Sequence, residues 1–188
     1  DIFHANKNGY QSSINFICCH DGFTMWDLVS YNSKHNLLNG ENNQDGENNN
    51  HSYNHGEEGL THNLQILSLR KQQIKNMLLI LYISQGIPML LMGDEMGRTQ
   101  LGNNNAYCQD NPTTWIDWDR KRDFEDIFLF TKNIIKLRKS YSIFKKEISL
   151  IEGVEIILHG IKLYQPDLSY HSLSIAFQLK DIETDTDF

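Results

Sequence analysis

Two short apolar runs in the chain end in the same way. Residues 14–19 (INFICC) stop at His20, Asp21 and Gly22, and residues 89–92 (MLLM) stop at Gly93, Asp94 and Glu95. Between them Leu64, Leu67, Ile74, Met77, Leu78, Leu81 and neighbouring Ile80 form a helical stripe opposite Arg70, Lys71, Gln73 and Lys75. Gly86 ends that pattern and Pro88 prevents its continuation. A short unbroken apolar run reads as a strand covered on both faces. Strand, helix and strand in this order imply a right-handed parallel unit, and hence an α/β fold. Such a unit delivers both polar endings to the same end of the sheet, where α/β barrels and open α/β sheets place their sites.

The rest of the chain is read around that unit. Thr24 followed three residues later by Asp27 has the form of a capping box and predicts a helix over 25–31. The polar block 35–63 is far too long for an ordinary connection, so it is expected to be functional or disordered. A second loop, from 98 to 119, carries Trp115 and Trp118, and the pattern of 123–141 predicts a helix able to cover the second strand. After 148 the texture changes to period two, with Leu173, Ile175, Phe177 and Leu179 on one face. These features set a domain boundary near Lys145, with 1–145 belonging to the α/β part and 146–188 opening an all-β module. The chain starts at Asp1 without Met and stops just after a strand pattern, so it is expected to be an internal fragment of something larger.

Composition narrows the partners. With 17 Lys and Arg against 24 Asp and Glu, the formal charge of -7 argues against nucleic acid or an anionic membrane. No stretch approaches the roughly 20 apolar residues of a membrane span. Cys18, Cys19 and Cys108 read as reduced, structural cysteines, not as a disulfide framework or a metal site.

Several groups are candidates for chemistry. His20 and Asp21 at a strand end suit binding of substrate hydroxyls and stabilisation of developing positive charge. They suit equally a turn in which Asp21 binds loop amides. Asp94 and Glu95 suggest a second carboxylate for glycoside cleavage, but pinning of their own loop, with Arg98 as ion-pair partner, is favoured. His51, His55 and His62 lack a ligand-like context and read as loop histidines. The calcium-loop likeness of 41–52 fails at Glu41 and Ser52, and Asn50 opens a glycosylation acceptor with no sign of secretion. Trp26, Trp115, Trp118, Tyr53 and Tyr107 among Asn and Gln have the composition of a sugar-binding cleft, or of packing anchors.

Taken together, five blocks resemble the isoamylase and glycogen-debranching branch of the α-amylase superfamily of glycoside hydrolases. They are INFICCHDGFTMWDLVSYNSKHN, NGENNQDGENNNHSYNHGEEG, SQGIPMLLMGDEMGRTQLGNNNAYCQDN, WIDWD and HGIKLYQPDLSYHSLSIAFQL, which occur in that family's order and cover nearly the whole chain. The Asn-rich strings are the specific part. The mild departures are Cys18 and Cys19 in place of small residues, Gln44 in place of Arg, and Met96 after GDE.

The resemblance implies the last strands and helices of a (β/α)8 TIM barrel, followed by the start of a C-terminal β-sandwich. It implies that Asp21 is the catalytic carboxylate that stabilises the transition state, with His20, Asn103, Asn104, Asn105 and Tyr107 binding substrate. The nucleophile and the acid/base of this family lie on earlier strands outside these residues, so the fragment alone is expected to be inactive. Expected for the parent are a branched α-glucan substrate, cleavage of α-1,6 linkages with retention, no cofactor and no metal. Nucleic acid and membrane are not expected as partners, and association with other isoamylase subunits is left open. The compartment implied is the cytoplasm, or the plastid stroma in a plant or alga. A non-catalytic, glucan-binding isoamylase-like subunit is the alternative, and a trehalose-pathway or transglycosylating relative a weaker one.

Overall fold

The computed structural model describes residues 13–146, 153–172 and 174–188. Its residues divide into two compact units. One is formed by Asn15–Tyr82 and Pro88–Lys136, the other by Ile14, Ile83–Ile87 and the described residues of Leu137–Phe188.

Strands β1 (Ile14–Asn15) and β2 (Ile87–Pro88) pair. The Ile87 N–H donates to the Ser13 carbonyl and the Met89 N–H to that of Asn15, each at 2.8 Å. Partner numbers rise together on both sides, which is the signature of parallel pairing. The strands are much shorter than the apolar runs predict. Each has one strand neighbour among the described residues, and Ile14, Phe16 and Met92 are exposed instead of covered.

In the larger unit, α1 (Met25–Leu28) begins at Thr24, whose Oγ1 accepts the Asp27 N–H at 3.2 Å. The expected helix over 25–31 closes after one turn. The Asp27 carboxylate accepts bonds from Thr99 and Gln100, and the Ser30 and Tyr31 N–H groups both turn onto the Asp27 carbonyl. Helix α2 (Leu64–Ile83) is the long amphipathic helix, but its buried line runs through Arg70, Ile74, Leu78, Leu81 and Tyr82. Ile74 and Leu78 are wholly buried, each worth about 2–3 kcal/mol of transfer free energy. Arg70, assigned by polarity to the wet face, lies on the i, i+4, i+8 line with them. Leu64 and Ile80, assigned to the stripe, are exposed.

Helices α3 (Arg120–Asp123) and α4 (Glu125–Ser140) follow the second loop. Phe124 between them meets Trp26 edge-on at 4.7 Å, so Trp26 is a core residue and not a sugar platform. Gly97, at φ +70°, lets the chain pass this ring: a Cβ there would lie 2.6 Å from Phe124 Cε1. No substitution fits that spot without moving the ring.

The second unit is built on antiparallel pairing. Strand β3 (Val154–His159) pairs with β4 (Ala176–Asp181), Val154 opposite Asp181 and His159 opposite Ala176, and β4 pairs with β5 (Thr186–Asp187). Val154 and Leu179 join Ile143 and Phe144 in a small core flanked by Ile83 and Leu137. Of the face predicted from period two, Leu179 is buried while Ile175 and Phe177 stay exposed, and Leu173 lies outside the described residues. The Arg138 guanidinium donates to the carbonyls of Ser84 at 2.7 Å and Gly86 at 2.5 Å, satisfying acceptors left over where α2 ends.

Candidate active site

The turn His20-Asp21-Gly22 sits between β1 and α1. The side chains of His20 and Asp21 are 88 % and 73 % exposed, and His20 Nε2 lies 3.3 Å from Asp21 Oδ2. Cys19 Sγ donates to the Asp21 carbonyl at 3.4 Å. Neither ring nor carboxylate is consumed by the core, so both are available to a ligand. Among the described residues no loop amide donates to the Asp21 carboxylate, the use that a plain turn would make of it.

What holds the turn is the loop after β2. The Gly22 N–H donates to the Asn104 carbonyl at 3.0 Å. The Met25 N–H donates to Asp94 Oδ1 at 2.9 Å. Asp27 Oδ2 accepts the Gln100 N–H at 2.7 Å, and its other oxygen accepts the Thr99 hydroxyl. These bonds join 22–27 to 94–104. Asp94 and Glu95 do pin the loop, as favoured, Glu95 Oε2 accepting the Gly93 N–H at 2.9 Å. Arg98 is not their ion-pair partner: its guanidinium donates to the carbonyls of Met92 and Thr114 and to Gln100 Oε1.

Burial raises the Asp94 carboxyl to about 7, against the lowering effect of the Met25 N–H. Burial likewise raises Asp27 to about 6, against its bonds to Thr99 and Gln100. The Cys18 thiol is pushed up by burial and by the negative charges of Asp94, Cys19 and Asp27, which makes it inert at neutral pH.

The two Asn-rich loops lock together under this turn. Asn36 Nδ2 donates to Asn104 Oδ1 at 2.8 Å while Asn36 Oδ1 accepts the Asn104 N–H at 3.0 Å. Asn39 and Asn103 exchange side-chain bonds at 2.8 and 3.3 Å. Asp45 Oδ2 accepts Asn39 Nδ2 at 2.7 Å and Asn105 Nδ2 at 2.9 Å, and these donors, Asn39 first, hold its carboxyl below the usual range. A short amide side chain that both donates and accepts can close such lattices without charge, and this accounts for the asparagine bias. The block 35–63 is ordered by further ties. Glu58 accepts the N–H groups of Asn32 and Ser33, and Arg70 reaches from α2 to the carbonyls of Asn54, Glu57 and Gly59.

Of the residues expected to bind substrate, Asn103 and Asn104 are buried with their amides engaged internally. Asn105 is half-buried, and Tyr107 is 81 % exposed. Trp115 is exposed, its Nε1 donating to Asp110 at 3.0 Å. It lines a recess of about 200 Å³ with Arg98, Thr99, Leu101 and Arg120. Asp94, Asp27 and Arg70 are the residues whose importance polarity alone concealed. Among the described residues no three or more His, Cys, Asp or Glu side chains gather as a metal site, and no helix is long and apolar enough to cross a membrane.

No protein-family model matches the chain. Curated relatives do. A glycogen operon protein GlgX homolog of Mycobacterium tuberculosis is 49 % identical over 146 residues, covering 78 % of this chain and 20 % of that protein. Isoamylase SU1, chloroplastic, of Zea mays is 46 % identical over 181 residues, covering 96 % and 23 %. The glycogen debranching enzyme of Erwinia tasmaniensis is 51 % identical over 139 residues, covering 74 % and 21 %. Among solved structures, the apo pullulanase of Paenibacillus barengoltzii superposes with a TM-score of 0.59 at 22 % identity, over 90 % of this chain and 20 % of that one. The pullulanase of Bacillus acidopullulyticus gives 0.55 at 22 %, over 89 % and 16 %. The pullulanases establish likeness of fold. The curated relatives carry the likeness further: the chain is similar over most of its length to isoamylase and glycogen-debranching proteins, and spans about a fifth of the length of the relatives it matches.

Proposed function

We propose that these 188 residues form the C-terminal part of a glycosidase (β/α)8 barrel, 1–145, and the start of a C-terminal β-sandwich, 146–188. The whole protein then hydrolyses α-1,6 branch linkages of glycogen, amylopectin or limit dextrin with retention of configuration. The observation that carries this reading is the exposed His20–Asp21 pair on a turn bonded to the loop after the parallel β2, within a segment about half identical to glycogen debranching enzymes.

In this reading Asp21 faces the sugar at the cleaved bond. A carboxylate fixed there favours the oxocarbenium-like transition state over the neutral ground state, and such preorganised charge contributes several kcal/mol. His20, 3.3 Å from it, donates to a hydroxyl of the same sugar. Tyr107 and Asn105 reach substrate from the second loop. Asn103 and Asn104 contribute from beneath, by holding that loop against the turn. The chain alone, with no nucleophile or acid/base assigned in it, has no hydrolase activity of its own.

The test is incubation of the full-length protein with a glycogen limit dextrin. Release of linear α-1,4 chains, with the new end first appearing as the α anomer by NMR, is the expected result. Glucan binding without chain release would overturn the hydrolase reading and favour a binding subunit.

A further inference from the structure

We propose that Asp94 is a positioning residue for Asp21, acting through the first amide of α1. This deepens the proposed function and rests on it. The turn that carries Asp21 is exposed and short, and nothing in its own sequence fixes its direction. Its flanks are fixed from outside. On one side the Gly22 N–H is held by the Asn104 carbonyl at 3.0 Å. On the other the Met25 N–H is held by Asp94 Oδ1 at 2.9 Å. Both anchors come from the loop that follows β2, so Asp21 lies one and four residues from the points, Gly22 and Met25, where that loop grips its strand-to-helix turn.

Burial distinguishes the Asp94 anchor from an ordinary cap. Asp94, Thr24, Met25 and Asp27 are all fully buried, so the bond is shielded from competing water and its geometry is set by packing on every side. Among the described residues Asp94 Oδ2 has no hydrogen-bond partner. A side chain retained solely for stability would not leave a buried carboxylate oxygen orphaned, since a smaller or fully satisfied residue would serve better. The arrangement is the kind in which rigid support keeps a functional side chain within a fraction of an ångström of its working position.

The experiment compares Asp94→Ala, Asp94→Asn and wild type in the full-length protein, reading kcat and KM on a glycogen limit dextrin and hydrogen exchange of peptides covering 20–28. Asn keeps an acceptor for the Met25 N–H and Ala does not. Expected are a roughly 10- to 100-fold fall in kcat for Ala with KM within about twofold, faster exchange over 20–28, and recovery of both by Asn. Wild-type kcat in folded Asp94→Ala, or equal losses in both variants, would overturn the proposal. Where the Ala variant does not fold, Asn decides: kcat and protection near wild type support the anchor, and a large loss of kcat refutes it. Absence of hydrolysis in the wild type would sink the proposed function alone. The exchange comparison would still test the anchor.

Discussion

Replacing Asp94 with Asn should reverse the sign of its effect on stability between acidic and alkaline pH. In the folded protein the carboxyl is buried and its pKa stands at about 7, against 3.8 for the free side chain, with burial the main cause. The folded state thus holds the proton more tightly than the unfolded one, so stability falls as pH rises from about 4 to 7 and stays low above it. The shift of about three pH units corresponds to about 4 kcal/mol. Asn keeps an acceptor for Met25 but places an amide donor where Oδ2 had no partner, a cost of about 1–3 kcal/mol at any pH. The variant should therefore be less stable than wild type by up to about 2 kcal/mol at pH 4, about equal to it near pH 5, and more stable by about 1–3 kcal/mol at pH 8. Glu95, Asp27 and Arg98 act on the same group: the two carboxylates add to its reluctance to ionise and the guanidinium opposes it, while the neighbouring Cys18 thiol is neutral throughout this range. Urea midpoints of the full-length protein and the variant, measured every half unit from pH 4 to 8.5, should cross between about pH 4.5 and 6. Parallel curves would refute the argument, because they would mean that the carboxylate carries no burial penalty.

Two further predictions concern the loops. Gly46 stands at φ +73°, and a Cβ there would lie 2.7 Å from Asn36 Nδ2. Gly46→Ala should destabilise the Asn lattice by about 2 kcal/mol or more, seen as faster hydrogen exchange over 36–50 with α2 unaffected. Arg70→Lys keeps the charge but loses the planar fork that reaches three carbonyls, and should open 54–59 to limited proteolysis at least about tenfold faster.

The sequence was most legible where periodicity and size agreed. The stripe of α2 located a real helix, because twenty residues of alternating faces leave few alternatives. Its polarity misled at Arg70, which is buried because it reaches loop carbonyls that would otherwise lie unsatisfied. The spacing of Arg70 with Ile74 and Leu78 carried the correct signal. The apolar runs marked the strand positions but not their lengths, since strand length depends on neighbours that a local pattern does not contain. At the site, His20 and Asp21 were legible as a polar ending to an apolar run. The roles of Asp27 and Asp94 were not, because each depends on a partner about 70 residues away. Asn103 and Asn104 looked like ligands for a sugar for the same reason that they serve as structure: an amide that can bond hydroxyls can equally bond another amide.

The account turns on Asp21, exposed at the end of its turn and held in place from two sides. Substituting it with Asn changes shape little and removes only the charge. In the full-length protein, kcat on a glycogen limit dextrin should fall by roughly 100-fold or more while glucan affinity changes by less than about threefold. An Asp21→Asn protein that turns over branched glucan at near the wild-type rate would contradict the assignment of this residue and, with it, the proposed mechanism.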